Sequence, residues 1–317
     1  MSGSNFPNGF AAGVTIRGVP LIQTHPGEVF WVNNSSSALA KGAVGGSNGN
    51  DGSYRRPFGT VDYAVGKCTA NRGDIIFVMP GHAETIAAAG IDADVAGIAI
   101  VGLGRGSNKP TLTFSATSSD VDIDAANVLF SGFRCVSSVD SLVHFIDVNE
   151  DNATIDNCEF VTGSATEALC FINLATTKDG LTVANSKFLQ PTDPDGTGAA
   201  VNTGGIYLVD SEDTLVENCT FRGQFESGII HNKTTAAKGL VVRNCELSNE
   251  LTVPFLLVVT AEGVCDGCYG ATLGATDGST AQVYGTVGTI FWISQSTSLG
   301  NDSGGGDQGG IVCTAAS

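Results

Sequence analysis

This chain is short of positive charge, short of charge altogether, and has no long apolar run. Its 15 Lys and Arg stand against 32 Asp and Glu, a net charge of −17. Such a surface repels nucleic-acid phosphates and anionic membranes, so no nucleic-acid partner is expected. The longest clearly apolar run, residues 253–259, is far too short to cross a bilayer and fits a buried strand, so no membrane insertion is expected. The opening Met1-Ser-Gly-Ser-Asn-Phe6 has no basic segment followed by an apolar stretch, and no export signal is expected. Only 15% of residues are charged while 42 are glycine, a balance that suits a turn-rich β protein.

A paired cysteine framework is missing too. The count is 9, an odd number, in a chain that is neither small nor signal-bearing. Cys135, Cys158, Cys170, Cys219 and Cys245 fall at inward positions and read as buried thiols acting as small hydrophobes. Cys265 and Cys268 form a lone Cys-x-x-Cys without a second pair nearby, a weak signal for metal or redox chemistry.

What is present is a repeat. Asn127-Val-Leu-Phe-Ser-Gly-Phe-Arg-Cys135, Asn152-Ala-Thr-Ile-Asp-Asn-Cys-Glu-Phe160, Leu181-Thr-Val-Ala-Asn-Ser-Lys-Phe188, Leu215-Val-Glu-Asn-Cys-Thr-Phe221 and Leu240-Val-Val-Arg-Asn-Cys-Glu-Leu247 are one motif written five times. Its reference positions Gly132, Asn157, Asn185, Asn218 and Asn244 are separated by 25, 28, 33 and 26 residues, and a weaker copy at Val264-Cys-Asp-Gly-Cys268 places Gly267 23 further on. A period of this size marks stacked repeats. Within Thr154-Ile-Asp-Asn-Cys-Glu-Phe160 the apolar residues alternate as in a half-buried strand, and Asn157 interrupts the alternation. Asn tolerates the left-handed backbone conformation, so it bends one strand into the next. Asn157, Asn185, Asn218 and Asn244 are therefore expected to lie above one another as a ladder sharing amide hydrogen bonds, with Cys158, Ser186, Cys219 and Cys245 as a second column inside.

Each motif is accompanied by another apolar run, such as Leu142-Val-His-Phe-Ile146 or Ile206-Tyr-Leu-Val209. Every repeat thus supplies two or three short strands and no helix, one coil of a parallel β-helix. The Asn bends and the repeat resemble the right-handed parallel β-helix of the pectate-lyase-like superfamily over roughly residues 55–290. The expected fold is all-β: a single-stranded right-handed parallel β-helix with a short N-terminal capping helix and irregular or β extensions at both ends. The helix is expected within Gly59-Thr-Val-Asp-Tyr-Ala-Val-Gly-Lys-Cys68, where Val61, Ala64, Val65 and Cys68 recur at helical spacing behind Thr60.

The expected organisation is an N-terminal arm at 1–33, a flexible connector at 34–54 rich in Ser, Gly, Ala and Asn, the β-helix at 55–290 and a C-terminal extension at 291–317. Apolar residues of the arm, Val19, Leu21, Phe30 and Trp31, need covering. Either the arm folds back on the rod or it docks on a partner. Ile290-Phe-Trp-Ile-Ser294 echoes Val29-Phe-Trp-Val-Asn33.

Relatives that cleave glycans set carboxylates on the outer face of a strand, where successive coils stand about 4.8 Å apart. Catalytic candidates are Asp147, Asp210, Glu212 and Asp213, with Glu150 and Asp151 nearby, although most fall in turns where acids are commonly just solvated. The polygalacturonase-like and pectate-lyase signatures are not present. Pro191-Thr-Asp-Pro-Asp-Gly196 offers Asp193 and Asp195 to a calcium ion, but a turn is the simpler account. No cofactor is implied.

Gly-Asn-Asp-Gly-Ser53, Arg-Arg-Pro-Phe58 and Gly-Asp-Ile-Ile-Phe-Val78 make the chain look like β-helix proteins of tailed-phage structural modules, commonly homotrimers. That resemblance implies a non-enzymatic virion protein, a trimeric capsid decoration or cement protein held by its arm to the major capsid protein or another virion protein and assembled in the host cytoplasm. The rival is a tail fibre or tailspike that binds or depolymerises a host surface glycan. A surface adhesin of cellular origin is a third reading.

Overall fold

The computed structural model describes residues 27–34, 42–163, 166–190, 204–232, 237–249 and 261–270, together with residues 271–272, Ser296 and the backbone of strands Thr15–Ile16, Val19–Pro20, Phe255–Leu257, Gly285–Thr286, Ile290–Ser294, Ser296–Gly300 and Gly310–Val312. The fold follows from its corners. Gly132, Asn157, Asn185, Asn218, Asn244 and Gly267 all have positive φ, between 51° and 86°. Five residues earlier than the first five stand Asn127, Asn152, Gly180, Asp213 and Gly239, also left-handed. Each short strand between, such as Thr154–Asp156, is bracketed by a bend on either side. Asn and Asp enter this conformation at small cost and Gly at none, which is why these residue types recur there.

The bends divide each coil among three sheets. Thr154–Asp156, Glu159–Val161 and Ala168–Leu174 make one coil, and each pairs in parallel with its equivalent on the coils before and after. Stacking yields sheets of 11, 10 and 8 strands, an all-β parallel solenoid. Among the described residues no helix is long and apolar enough to cross a membrane.

The expected sharing of side-chain amides does not hold the Asn column together. Asn157, Asn185, Asn218 and Asn244 are exposed, and the links are main-chain: their N–H groups donate to the carbonyls of Ala184, Glu217, Arg243 and Asp266 on the next coil, at 3.0–3.1 Å. The Asn185 amide donates instead to Asp156 at 2.7 Å. Asn serves here for its backbone, so Asn185→Val is expected to cost about 1–2 kcal/mol and Asn185→Gly well under 1 kcal/mol, read from denaturant midpoints.

The inner column does carry side-chain links. Cys158 N–H donates to Ser186 Oγ at 3.0 Å, Cys219 N–H to Cys245 Sγ, Cys245 N–H to Cys268 Sγ and Cys268 N–H to Ser296 Oγ. The same hydroxyl or thiol donates to the carbonyl two residues back, as Ser186 does to Ala184 and Cys245 to Arg243. A tight bend turns one N–H inward with no backbone acceptor. Ser and Cys are small enough to sit inside it and supply both a donor and an acceptor. Burial pushes the Cys158 thiol up to about 12, and Cys265 and Cys268 are in no disulfide.

Beside this column runs a stack of rings. Phe160, Phe188 and Phe221 occupy one register position on consecutive coils, with centroids 4.9 and 4.3 Å apart and planes within 12°.

The N-terminal boundary differs from the expected one. Val29–Val32 pairs in parallel with Ile75–Val78, so Phe30 and Trp31 belong to the first strand of the first sheet rather than to a separate arm. Trp31 lies against Phe77 and Tyr54, and Phe30 against Phe58. The side chains of Val19 and Leu21 lie outside the described residues. Residues 42–54 are no loose connector either. Trp31 N–H donates to Gly52 O, the Asn50 amide to Gly45 and Pro57 carbonyls, and Asn48 Oδ1 accepts from the N–H groups of Gly59 and Thr60. An open sheet edge invites pairing with other chains, and this cap occupies it.

The helix expected beside it, Val61–Val65, is present, with the Thr60 hydroxyl accepting from Tyr63 N–H and Val61, Ala64 and Val65 buried. Its first N–H binds Glu84 and its Asp62 accepts from Asp92 N–H, so it closes the strands of the first coil. At the other end Ile290–Ser294 and Ser296–Gly300 extend the first and second sheets past residue 290. The two echoing segments are thus the two outermost strands of one sheet.

Candidate carboxylate site on the third sheet

On the third sheet Asp92, Asp122 and Asp147 stand in register on consecutive coils, followed by Asn173, Tyr207 and His231. Strand spacing puts the three aspartates about 4.8 Å apart. They alternate with buried Ile91, Val121, Ile123, Ile146 and Val148, so the pleat turns them outward. Asp120 and His144 flank them, with His144 Nδ1 3.4 Å from Asp120 and Nε2 3.9 Å from Asp147.

Stacked acids on a half-buried face cannot all ionise cheaply. Burial, then the charges of Asp122 and Asp147, pushes Asp120 up to about 7, and a hydrogen bond joins it to Asp122. Burial followed by Asp147 and Asp124 pushes Asp122 up to about 6, and burial raises Asp92. Burial lowers His144, against the pull of Asp147. Asp147 accepts hydrogen bonds from Asn173 at 2.6 Å and Asn149 at 3.4 Å, and Asn149 also binds Asp124. Tyr207 and His231 continue the line with rings stacked at 4.7 Å. The arrangement can hold a proton at Asp120–Asp122, one coil from the Asp147 side chain and its amide hydrogen bonds.

The sign of the pH effect follows. The folded pKa values of Asp120 and Asp122 lie above the unfolded 3.8, so the folded chain keeps protons that the unfolded chain has released. Their contribution is complete below about pH 4 and is lost as pH rises through 6 and 7. The denaturation midpoint is expected to fall between pH 5 and pH 8, and Asp122→Asn to raise it at pH 8 and flatten the slope.

Of the four catalytic candidates read from sequence, only Asp147 lies in this line. Asp210 and Asp213 are left-handed turn residues with φ of 47° and 54°, and Asp213 is one of the corner positions, packed so closely on Gly239 that a Cβ there would come 2.5 Å from its Oδ1. Glu212 is exposed and pairs with Lys238 at 3.2 Å. Asp193 and Asp195 lie outside the described residues. Among the described residues no three His, Cys, Asp or Glu side chains are placed to hold a metal ion. Asp92, Asp120 and Asp122 were missed because they precede the Asn motif. The signal that could have found them is alternation, Val121-Asp-Ile123 and Ile91-Asp92 set against Ile146-Asp-Val148.

Fold and site together define a parallel β-solenoid with an outward carboxylate line. The chain belongs to the family described as the right handed beta helix region, whose model matches residues 122–286. In structure it is similar to a rhamnogalacturonan lyase, with a TM-score of 0.57 and 10% identity over 87% of this chain and 75% of that one. That is a likeness of fold, from which no activity follows. It is also aligned with the Geobacillus virus E2 ORF18 protein, at TM-score 0.35 and 13% identity over 78% of this chain and 59% of that one, a likeness too slight to bear on function. A comparison with curated proteins finds no match.

Proposed function

We propose that this protein is a non-enzymatic structural component of a tailed-phage particle, a trimeric capsid decoration or cement protein bound to the major capsid protein. The N-terminal end carries the reading. The segments around Ser53 and Phe58 that resemble phage modules build the cap, the one ending at Val78 forms the strand paired with the first, and the chain enters the rod at this end. A rod closed at one end, with chain leading into that end, suits end-on attachment. The arm's anchoring role then falls to residues 1–26, because Phe30 and Trp31 are part of the rod.

A second reading is favoured by the carboxylate line: a tail fibre or tailspike that binds or cleaves a host surface polysaccharide. A carboxyl group pushed up to about 7 at Asp120, with Asp122 and Asp147 in register on adjacent coils about 4.8 Å apart, places two acids side by side as glycosidases require.

One comparison tests both. The full chain is expected to co-sediment with undecorated particles, and a chain lacking residues 1–26, with the first strand and cap intact, to stay in the supernatant. Neither is expected to shorten host capsule or lipopolysaccharide. Glycan shortening that disappears in Asp122→Asn or Asp147→Asn would replace the first reading with the second.

A further inference from the structure

The outward side of the first sheet changes character along the rod. On its first four strands the outward register positions include Val29, Trp31, Ile75, Phe77, Val101 and Leu129. They alternate with the buried Val32, Ile76, Val78, Ile100 and Phe130. On the next coils the equivalent positions are Thr154 and Asp156, Thr182 and Ala184, then Leu215 and Glu217. Val29 is 41% exposed, and Tyr54, whose ring meets Trp31 edge-on at 4.9 Å, is 49% exposed. A contiguous uncharged patch on a chain this acidic marks a contact surface.

We propose that residues 13–22 of the same chain dock on this face and cover it. The chain enters the rod here, since Glu28 N–H is bound by Asp74 and the strand Val29–Val32 follows at once. Ahead of it, Gly13-Val-Thr-Ile-Arg-Gly-Val-Pro-Leu-Ile22 is the apolar stretch, and its strands Thr15–Ile16 and Val19–Pro20 form a two-stranded sheet of their own. A lone two-stranded hairpin is marginal in water without a surface to pack on. The link 23–26 spans at most about 14 Å, enough to turn back across neighbouring strands about 4.8 Å apart. Charge points the same way: residues 1–26 contain Arg17 and no acid, while all 32 Asp and Glu lie beyond them. The docking concerns the chain off the particle and does not rest on the particle reading; it leaves residues 1–12 to make the capsid contact.

Trp31 reports on this face once the other tryptophan is removed by Trp292→Phe. In that background, deleting residues 1–26 is expected to shift the emission to longer wavelength and to raise acrylamide quenching, with sedimentation mass per assembly changed only by the deleted residues. A synthetic peptide of residues 13–22 added in trans is expected to reverse both. The full-length double variant Ile16→Asp, Val19→Asp is expected to show the same shift and keeps the test valid if the deletion misfolds. Unchanged emission in both variants overturns the proposal. So does a shift that appears only with dissociation of an oligomer, which would make a second copy the occupant.

Discussion

Phe188→Ala is expected to lower stability by about 4 kcal/mol, while Phe188→Leu costs about 1.5 kcal/mol. The ring is fully buried, stacked between Phe160 and Phe221 and met edge-on by Phe171 at 5.8 Å. Truncation removes the transfer energy of the ring and leaves a cavity. The neighbours above and below cannot close it, because each is fixed by the strand pairing of its own coil. In a solenoid each coil contacts only its neighbours, so a weak middle coil divides the rod into two less coupled halves. Denaturant melts followed by amide exchange at Phe160 and Phe221 check this: protection should fall at both. Loss of protection confined to the chain ends would contradict it.

The second large effect sits at the cap. Asp74→Asn is expected to cost about 3 kcal/mol. The Asp74 side chain is fully buried and accepts from Glu28 N–H at 2.7 Å, Thr69 N–H at 2.8 Å and the Arg72 guanidinium twice at 2.7 Å. Those bonds tie the entry of the first strand to the turn before the second, where Gly27 packs so closely on Gly73 that a Cβ would come 2.2 Å from its carbonyl oxygen. The Arg72 hydrogen bonds, with the two backbone donors, hold the Asp74 carboxyl down to about 2. Its folded pKa lies below the unfolded 3.8, so this stability is present above about pH 4 and is lost as pH falls toward 2. The variant should therefore be weaker than the parent at pH 7 and nearly equal to it at pH 2. An equal deficit at both pH values would assign the loss to packing rather than to charge. The acid limb belongs to the cap and the alkaline limb to the third sheet, so Asp74→Asn and Asp122→Asn alter opposite ends of the pH profile.

Much of this was legible in the residues. Asn157, Asn185, Asn218 and Asn244 mark corners because few side-chain-bearing residues accept a positive φ, and Cys158 and Ser186 mark the inside of the bend. The corner formed by Asn127, Asn152, Gly180, Asp213 and Gly239 was equally available at its constant five-residue offset. It is harder to see because Gly and Asp mix with Asn there, and Asp213, an acid by type, also holds a left-handed corner. The first strand was not legible: Val29-Phe-Trp-Val32 reads alike as an arm or as a rung, and only the open edge beside Ile75–Val78 decides between them.

The amino-acid order by itself determined the winding, since a left-handed residue needs only its own chemistry and its local chain to form a corner, and the recurrence of corners makes a solenoid. Tertiary structure alone decided which side chains meet. Asp92, Asp122 and Asp147 come together because in-register pairing of whole coils absorbs turns of unequal length. That register is a property of stacked strands, held by hydrogen bonds between coils, and no single segment encodes it.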